Sequence, residues 1–263
     1  MFASRQSRLA ALRAEIAELE PTVSPCGALP FGDERLDACL PGGGLPLGRW
    51  HEFAGEGLDL ETAAASAGFV ARLAGALTAS SGTGELLWVL RRDDLHAPGL
   101  AGLGFPTERL IQVCVRDDDE ALAVLEDALR TPGVAAAFGE VGEVGLTAGR
   151  RLQLACERGG ATGFVLRRRP YGGEAKAEPG SAAATRWTIA PAPSEPMAGS
   201  APHAALGLGA PRWRVSLGRC RGGRTGAWIL EAREEDDGPH PFRLVADLAD
   251  RDVAAQTPLR LAG

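Results

Sequence analysis

Hydrophobic and polar positions recur along this chain with three different patterns, and the changes between them divide it. Over residues 5–20, Leu9, Leu12, Ile16 and Leu19 fall three or four apart with charged residues between them. That spacing predicts one amphipathic helix, closed by Pro21, within an N-terminal segment 1–27. Its apolar face has two readings, packing on its own core or on a partner. The short apolar run Trp50–Ala54 predicts a strand that enters a glycine loop, and Leu60–Ser80 then reads as a helix ending at Ser81-Gly82. Strand-like runs follow at Leu86–Leu90, Leu110–Val115, Val134–Phe138 and Thr162–Leu166, with helical runs at 118–130 and 147–158 between them. Strands alternating with helices predict an α/β fold, a mostly parallel central sheet with crossover helices. From residue 185 the pattern is β only, at Arg186–Ile189, Trp213–Leu217, Ala227–Glu231 and Phe242–Asp247, which predicts a C-terminal antiparallel β extension at the sheet edge. Residues 139–149, 170–184 and 191–211 are expected as mobile loops within one domain spanning 28–252. Glu234–Asp237 reads as a solvated turn and 253–263 as a loose tail.

Composition narrows the class. The 263 residues are 45% hydrophobic and 24% charged, ordinary for a soluble globular protein. A net charge of −6 gives no global attraction to nucleic acid or an anionic membrane, so any such contact needs a local patch. Arginine carries nearly all the positive charge, Lys176 being the one lysine. Cys26, Cys39, Cys114, Cys156 and Cys220 are far apart and lack CxxC spacing, so neither a disulfide framework nor a zinc site is expected, and the four histidines are scattered. No apolar run reaches the roughly 18 residues of a membrane span, and a cytoplasmic location is expected.

The chemically informative stretch is Gly55-Glu56-Gly57-Leu58-Asp59-Leu60-Glu61-Thr62. It stands where a strand meets a helix, the place of a phosphate loop of pattern G-x-x-x-x-G-K-[ST]. Gly55 and the Thr62 hydroxyl fit that pattern; Leu60 stands in place of the second glycine and Glu61 in place of the lysine. A lysine at ~4 Å from a phosphate charge is worth about 4 kcal/mol at an effective dielectric near 20, and a carboxylate reverses the sign. No nucleotide or metal cofactor is therefore expected.

The flanking residues carry a resemblance. Leu36-Asp37, then Leu40-Pro41-Gly42-Gly43-Gly44-Leu45-Pro46, Gly48-Arg49, a strand, the glycine loop and a helix resemble the start of the recombinase RecA core. Gly139-Glu140-Val141, Arg151–Ala155, Leu166-Arg167-Arg168, Thr185-Arg186-Trp187 and Pro211-Arg212-Trp213-Arg214-Val215 are similar to the ImuA family, over about residues 28 to 252. The resemblance implies a RecA-like, non-enzymatic accessory factor of DNA-damage-induced mutagenesis. Its implied partners are the recombinase filament, a Y-family-like mutasome subunit and an error-prone polymerase of the polymerase III alpha type.

Against a working RecA-like ATPase, Arg91-Arg92 fall near the expected water-activating carboxylate, which Asp93 or Asp94 supply only with a register shift. Phe138 or Gly139 fall where a Mg²⁺-binding acid belongs, with Glu140 one or two positions on. The segments matching the recombinase's DNA-gripping loops carry Glu140 and Glu143, then Lys176 beside Glu174 and Glu178. They do not form the basic cluster that phosphate contact needs, so direct DNA binding is not expected there. Arg167-Arg168-Arg169 is the better basic candidate, or a solvated strand end.

Residues 201–230 hold Arg212, Arg214, Arg219, Arg221 and Arg224 and no acidic residue. Alternation puts Arg212 and Arg214 on one strand face, opposite Trp213 and Val215. Arg219 and Arg221 fall where the recombinase carries a basic pair that reaches the neighbouring filament subunit. The five arginines are thus candidate partner-binding residues, with a surface hairpin as the plain alternative. Two other functions stay open: a RecA-family ATPase with shifted acids, and a division inhibitor of the SulA type, with a related, shorter fold.

Overall fold

The computed structural model describes residues 26–81, 83–168, 181–195, 209–233 and 240–248. The expected helix over 5–20, Arg169, Lys176 and its glutamates, the Glu234–Asp237 run, most of the two loops 170–184 and 191–211, and the tail 253–263 lie outside these residues. A short antiparallel pair, β1 (Ala28–Leu29) and β2 (Leu45–Pro46), flanks the one-turn helix α1 (Glu34–Asp37). Strand β3 (Trp50–Gly55) enters the loop and helix α2 (Asp59–Ser81) leaves it. Then come β4 (Glu85–Leu90), the short helix α3 (Ala97–Ala101), β5 (Leu110–Cys114), α4 (Asp118–Arg130), β6 (Val134–Val141), α5 (Leu146–Gly159) and β7 (Thr162–Arg167). The chain closes with β8 (Thr185–Ala192), β9 (Arg212–Cys220), β10 (Gly226–Ala232) and β11 (Phe242–Asp247).

These strands form one nine-stranded sheet in the order β11-β10-β9-β8-β3-β7-β6-β4-β5. From β8 to β5 every pairing is parallel; β9, β10 and β11 continue it antiparallel. The expected α/β class, with parallel centre and antiparallel extension, is what the chain folds into. Helix caps mark the turns chemically. The Asp117 carboxylate accepts from the Glu120 N–H at 2.9 Å to start α4, and Gly160, with φ 76°, ends α5 in the left-handed conformation.

One expected loop is corrected. Residues 139–141 belong to β6, because Glu140 and Val141 pair with Leu166 and Arg167 of β7. Residues 146–149 open α5. The connection is only 142–145, and the Gly142 N–H donates to Asp118 Oδ2 at 2.9 Å.

The two sheet faces build separate cores. On one, Phe53, Trp88, Phe138, Phe164 and Trp187 pack under Phe69, Leu73 and Leu77 of α2. On the other, Trp50, Val89 and Val165 pack under Leu125 and Leu129 of α4 and Leu152 and Cys156 of α5. The antiparallel extension adds its inner row, Trp213, Val215, Trp228, Leu230 and Phe242, to the α2 side. Phe69 stacks on Phe242 with ring centroids 4.8 Å apart, and Trp213 Nε1 donates to the Ala65 carbonyl at 2.9 Å. The extension is therefore fastened to the helix that follows the loop. Among the described residues no helix is long and apolar enough to cross a membrane.

His51, on β3, is a fully buried titratable group. Its Nε2 faces the Pro46 carbonyl at 2.8 Å, an acceptor only, so Nε2 carries the proton. Nδ1 accepts from the Thr185 hydroxyl at 2.7 Å, and that oxygen accepts from Trp187 Nε1 at 2.7 Å. Burial pushes the imidazole from 6.5 down to about 4. The native state favours neutral His51, so this contribution is complete above about pH 6.5 and is lost as pH falls toward 4, about 3 kcal/mol in all. Denaturant unfolding at about pH 7.5 and pH 5 is expected to show the loss, and His51→Gln to remove that part of the pH dependence.

Candidate functional site

In an open parallel sheet, ligands sit beyond the carboxyl ends of the strands. That edge here is made by Gly55 to Asp59, Arg91 to Asp94, Glu140 to Gly142 and Arg167-Arg168. The loop geometry is built from the two residues that fit the phosphate pattern. A Cβ on Gly55 would lie 2.0 Å from Thr62 Oγ1, so Thr62 sits directly on that glycine. The Thr62 hydroxyl donates to the Leu58 carbonyl at 3.0 Å. Gly57 takes φ 100°, a conformation that favours glycine. Gly55 and Thr62 thus hold the turn, and the hydroxyl already has its acceptor. Leu58 and Leu60 are exposed, Leu60 at 96%, and Glu61 lies in solvent beside Gly57.

On the α2 side of the edge, Arg168 occupies the centre. Its Nε lies 3.4 Å from Asp59 Oδ2 and 3.2 Å from Glu140 Oε2, and its Nη2 lies 2.9 Å from Asp94 Oδ2. Glu140 is buried, and Trp88 Nε1 approaches its other oxygen at 3.4 Å. Burial raises the Glu140 carboxyl above its usual range, against the pull of Arg168. Asp94 and Glu140, weighed in the sequence as shifted acids, do converge near the loop helix. They meet an arginine there, and three carboxylates to one guanidinium leave the cluster net negative.

On the opposite face the signs reverse. Buried Glu52 accepts from Arg167 Nη1 at 3.0 Å, Arg186 Nη2 at 3.3 Å and the Ser181 hydroxyl at 3.2 Å. Arg167 Nε also donates to the Gly142 carbonyl at 2.7 Å. The expectation that Arg167-Arg168 form a basic DNA-facing or solvated strand end is therefore corrected for these two residues. Both side chains are largely buried and spent on internal ion pairs. The strand alternation sends Arg167 to the Glu52 face and the next residue, Arg168, to the Glu140 face.

The five C-terminal arginines divide. Arg212 and Arg214 do face away from Trp213 and Val215, yet neither stands alone. Arg212 pairs with Glu231 at 2.5 Å and Glu195 at 2.9 Å, and Arg214 ties to Glu56 of the loop at 2.6 Å. Arg219 has the parity of Trp213 and Val215, which would aim it inward. The register shift between Arg186 and Trp187 leaves Gly218 unpaired, a β-bulge that turns Arg219 to the Glu52 face. There its guanidinium donates to the Ser181 carbonyl. Arg221 and Arg224 lie exposed on the turn between β9 and β10, where the Arg224 guanidinium reaches the Ala38 carbonyl at 3.3 Å. The acids that balance this arginine-rich stretch lie outside it, Glu195 and Glu231 just beyond its two ends and Glu56 in the loop. Among the described residues no group of His, Cys, Asp and Glu side chains is placed to hold a metal ion.

Fold and site together define an α/β protein with a strand, glycine turn and helix in the place of a phosphate loop and an acid-rich ion cluster beside them. Compared with characterised proteins, the chain is 60% identical over 238 residues to protein ImuA of Caulobacter vibrioides, spanning 89% of this chain and 95% of that one. It belongs to the ImuA family, a membership that implies a role in the SOS response and mutagenesis. No family model matches the chain. The solved structure of SulA from Pseudomonas aeruginosa aligns with 46% of this chain and 98% of its own, at a TM-score of 0.39 and 20% identity.

Proposed function

We propose that this chain is a non-catalytic accessory protein of damage-inducible translesion DNA synthesis, acting in the cytoplasm through protein–protein contacts. The partners in this reading are the recombinase filament, a Y-family-like mutasome subunit and an error-prone polymerase of the polymerase III alpha type. The observation that carries the non-catalytic part is the Arg168 cluster. Asp59, Asp94 and Glu140 surround a cation supplied by the chain itself, and Glu61 stands where a phosphate-binding lysine would be. A nucleoside triphosphate brought to this edge meets net negative charge. Family membership supports the pathway, and the exposed Arg221 and Arg224 on the hairpin turn support a basic docking surface.

The test is affinity capture of the tagged chain from DNA-damaged cells, with Arg221→Ala and the Arg219→Ala/Arg221→Ala pair alongside. Recovery of the recombinase or the translesion polymerase components by the parent is expected, with recombinase lost in both variants. Arg221→Ala should change thermal stability by less than about 1 kcal/mol, since contacts of an exposed turn arginine are worth little. The double variant also removes the donor to the Ser181 carbonyl, a loss of about 1 kcal/mol. Recovery of the tubulin-like division protein with neither mutagenesis component would sink the proposal.

A further inference from the structure

Strand β5 ends the sheet among the described residues, and it is unusually unguarded for an edge. Edge strands are commonly protected by charges, prolines or bulges, since their free N–H and C=O groups recruit another strand. The five residues of β5 are Leu-Ile-Gln-Val-Cys, without a charge or a proline. Ile111 is 45% exposed, and Gln112 and Cys114 are also exposed. The opposite edge, β11, carries Arg243 and Asp247.

The backbone fixes which groups are free. The Val115 N–H donates to the Leu90 carbonyl at 2.8 Å, so position 115 points toward β4. By alternation Ile111 and Val113 do the same, and Leu110, Gln112 and Cys114 turn their N–H and C=O outward. An antiparallel partner must match outward residues with outward residues. We infer that the partner is a second copy of this chain, its β5 paired antiparallel about a twofold axis through Gln112. In this register Gln112 faces Gln112, and Leu110 faces Cys114 of the other copy, so every outward group of the strand is bonded. On the other face Ile111 meets Val113 of the second copy, covering the exposed apolar side chain.

Charge at the two strand ends suits an antiparallel pairing of two copies. The 3-10 turn Thr107–Arg109 before the strand carries Glu108 and the bend after it carries Arg116, so an antiparallel pair brings the Glu108 end of each copy to the Arg116 end of the other. Glu108 is exposed, and the Arg116 side chain is 87% exposed, held by Glu120 at 3.2 Å with room for a second carboxylate. Moving the axis to residue 111 or 113 leaves outward groups of the strand opposite residues beyond it. The contact is isologous, so it closes at two copies and leaves the loop edge and the β9–β10 hairpin outside it.

Sedimentation of the full chain over a wide concentration range tests this. The expected mass rises with concentration from 27.4 kDa to twice that value and stops there. Gln112→Pro removes an outward N–H without touching the β4 ladder, and is expected to hold the chain at monomer mass with an unchanged circular dichroism spectrum. A second variant traps the register: Gln112→Cys in a Cys114→Ala background. Directly opposed residues of a hydrogen-bonded pair lie about 5.5 Å apart, within disulfide range. Oxidised glutathione, reduced to two thiols as the bond forms, should yield a covalent dimer that Cys114→Ala alone does not give. A monomer at every concentration, a Gln112→Pro dimer, or failure of the cysteine to cross-link would each overturn the inference. If Gln112→Pro does not fold, the cross-link decides.

Discussion

Glu52→Ala is expected to lower the stability of this protein by about 3–5 kcal/mol, the cost of leaving buried cations without their counter-charge. Glu52 is 3% exposed, and its two oxygens take Arg167, Arg186 and the Ser181 hydroxyl. Without it, Arg167 keeps only the Gly142 carbonyl, and Arg186 loses its carboxylate partner. For a chain of this size the change corresponds to a fall of roughly 6–20 °C in unfolding midpoint. Differential scanning calorimetry of the two proteins at neutral pH measures it. A fall under about 1 kcal/mol would mean the arginines find water or new partners, and that the cluster does not brace β3, β7 and β8 together. Glu52→Gln should lose less, since a carboxamide oxygen still accepts from one arginine.

Much of this fold was legible because its signals are local. The runs at Leu86–Leu90 and Phe242–Asp247 are short and bounded, and the helix at Asp118–Arg130 carries its own cap and its acidic first turn. The alternation in β9 places Trp213 and Val215 inside and Arg212 and Arg214 on the opposite face, as the structure has them. The site was less legible because its bonds are not local. Arg168 meets Asp94 across 74 positions and Arg214 meets Glu56 across 158. An arginine-rich stretch with no acid inside it therefore reads as a free basic surface, although Glu195 and Glu231 at its flanks and Glu56 of the loop pair with it. Arg219 escaped for a different reason: its facing depends on one extra residue, Gly218, and a bulge changes parity without any compositional mark. In the sequence Glu140 reads as an acid out of place and as a residue of the 139–149 loop, not as the end of a strand. Its partner Arg168 reads there as part of a basic strand end, because sequence does not show that β7 delivers that side chain to the loop helix.

Arg168→Ala carries the second large effect, and its pH dependence separates it from a simple packing loss. Among the described residues Arg168 is the cation that bridges Asp59, Asp94 and Glu140. Removing it leaves mutually repelling carboxylates, with Glu140 buried, and is expected to cost about 3–5 kcal/mol at neutral pH. The sign with pH follows from Glu140. Burial already raises its native carboxyl above the unfolded value, so ionising it in place disfavours the native state as pH rises through that range. Loss of Arg168 removes the charge that opposes this rise and extends it. The stability difference between parent and variant should therefore shrink as pH falls toward the carboxylate range. The His51 contribution has the opposite slope but is common to both proteins, and it cancels in the difference. Denaturant midpoints of the pair across about pH 5 to 8 give the result. A difference that stays constant with pH would reduce Arg168 to a space-filling side chain. A difference that closes on acidification would identify it as the cation this edge needs, supplied by the chain itself in the place where a nucleotide-binding site would recruit one from solution.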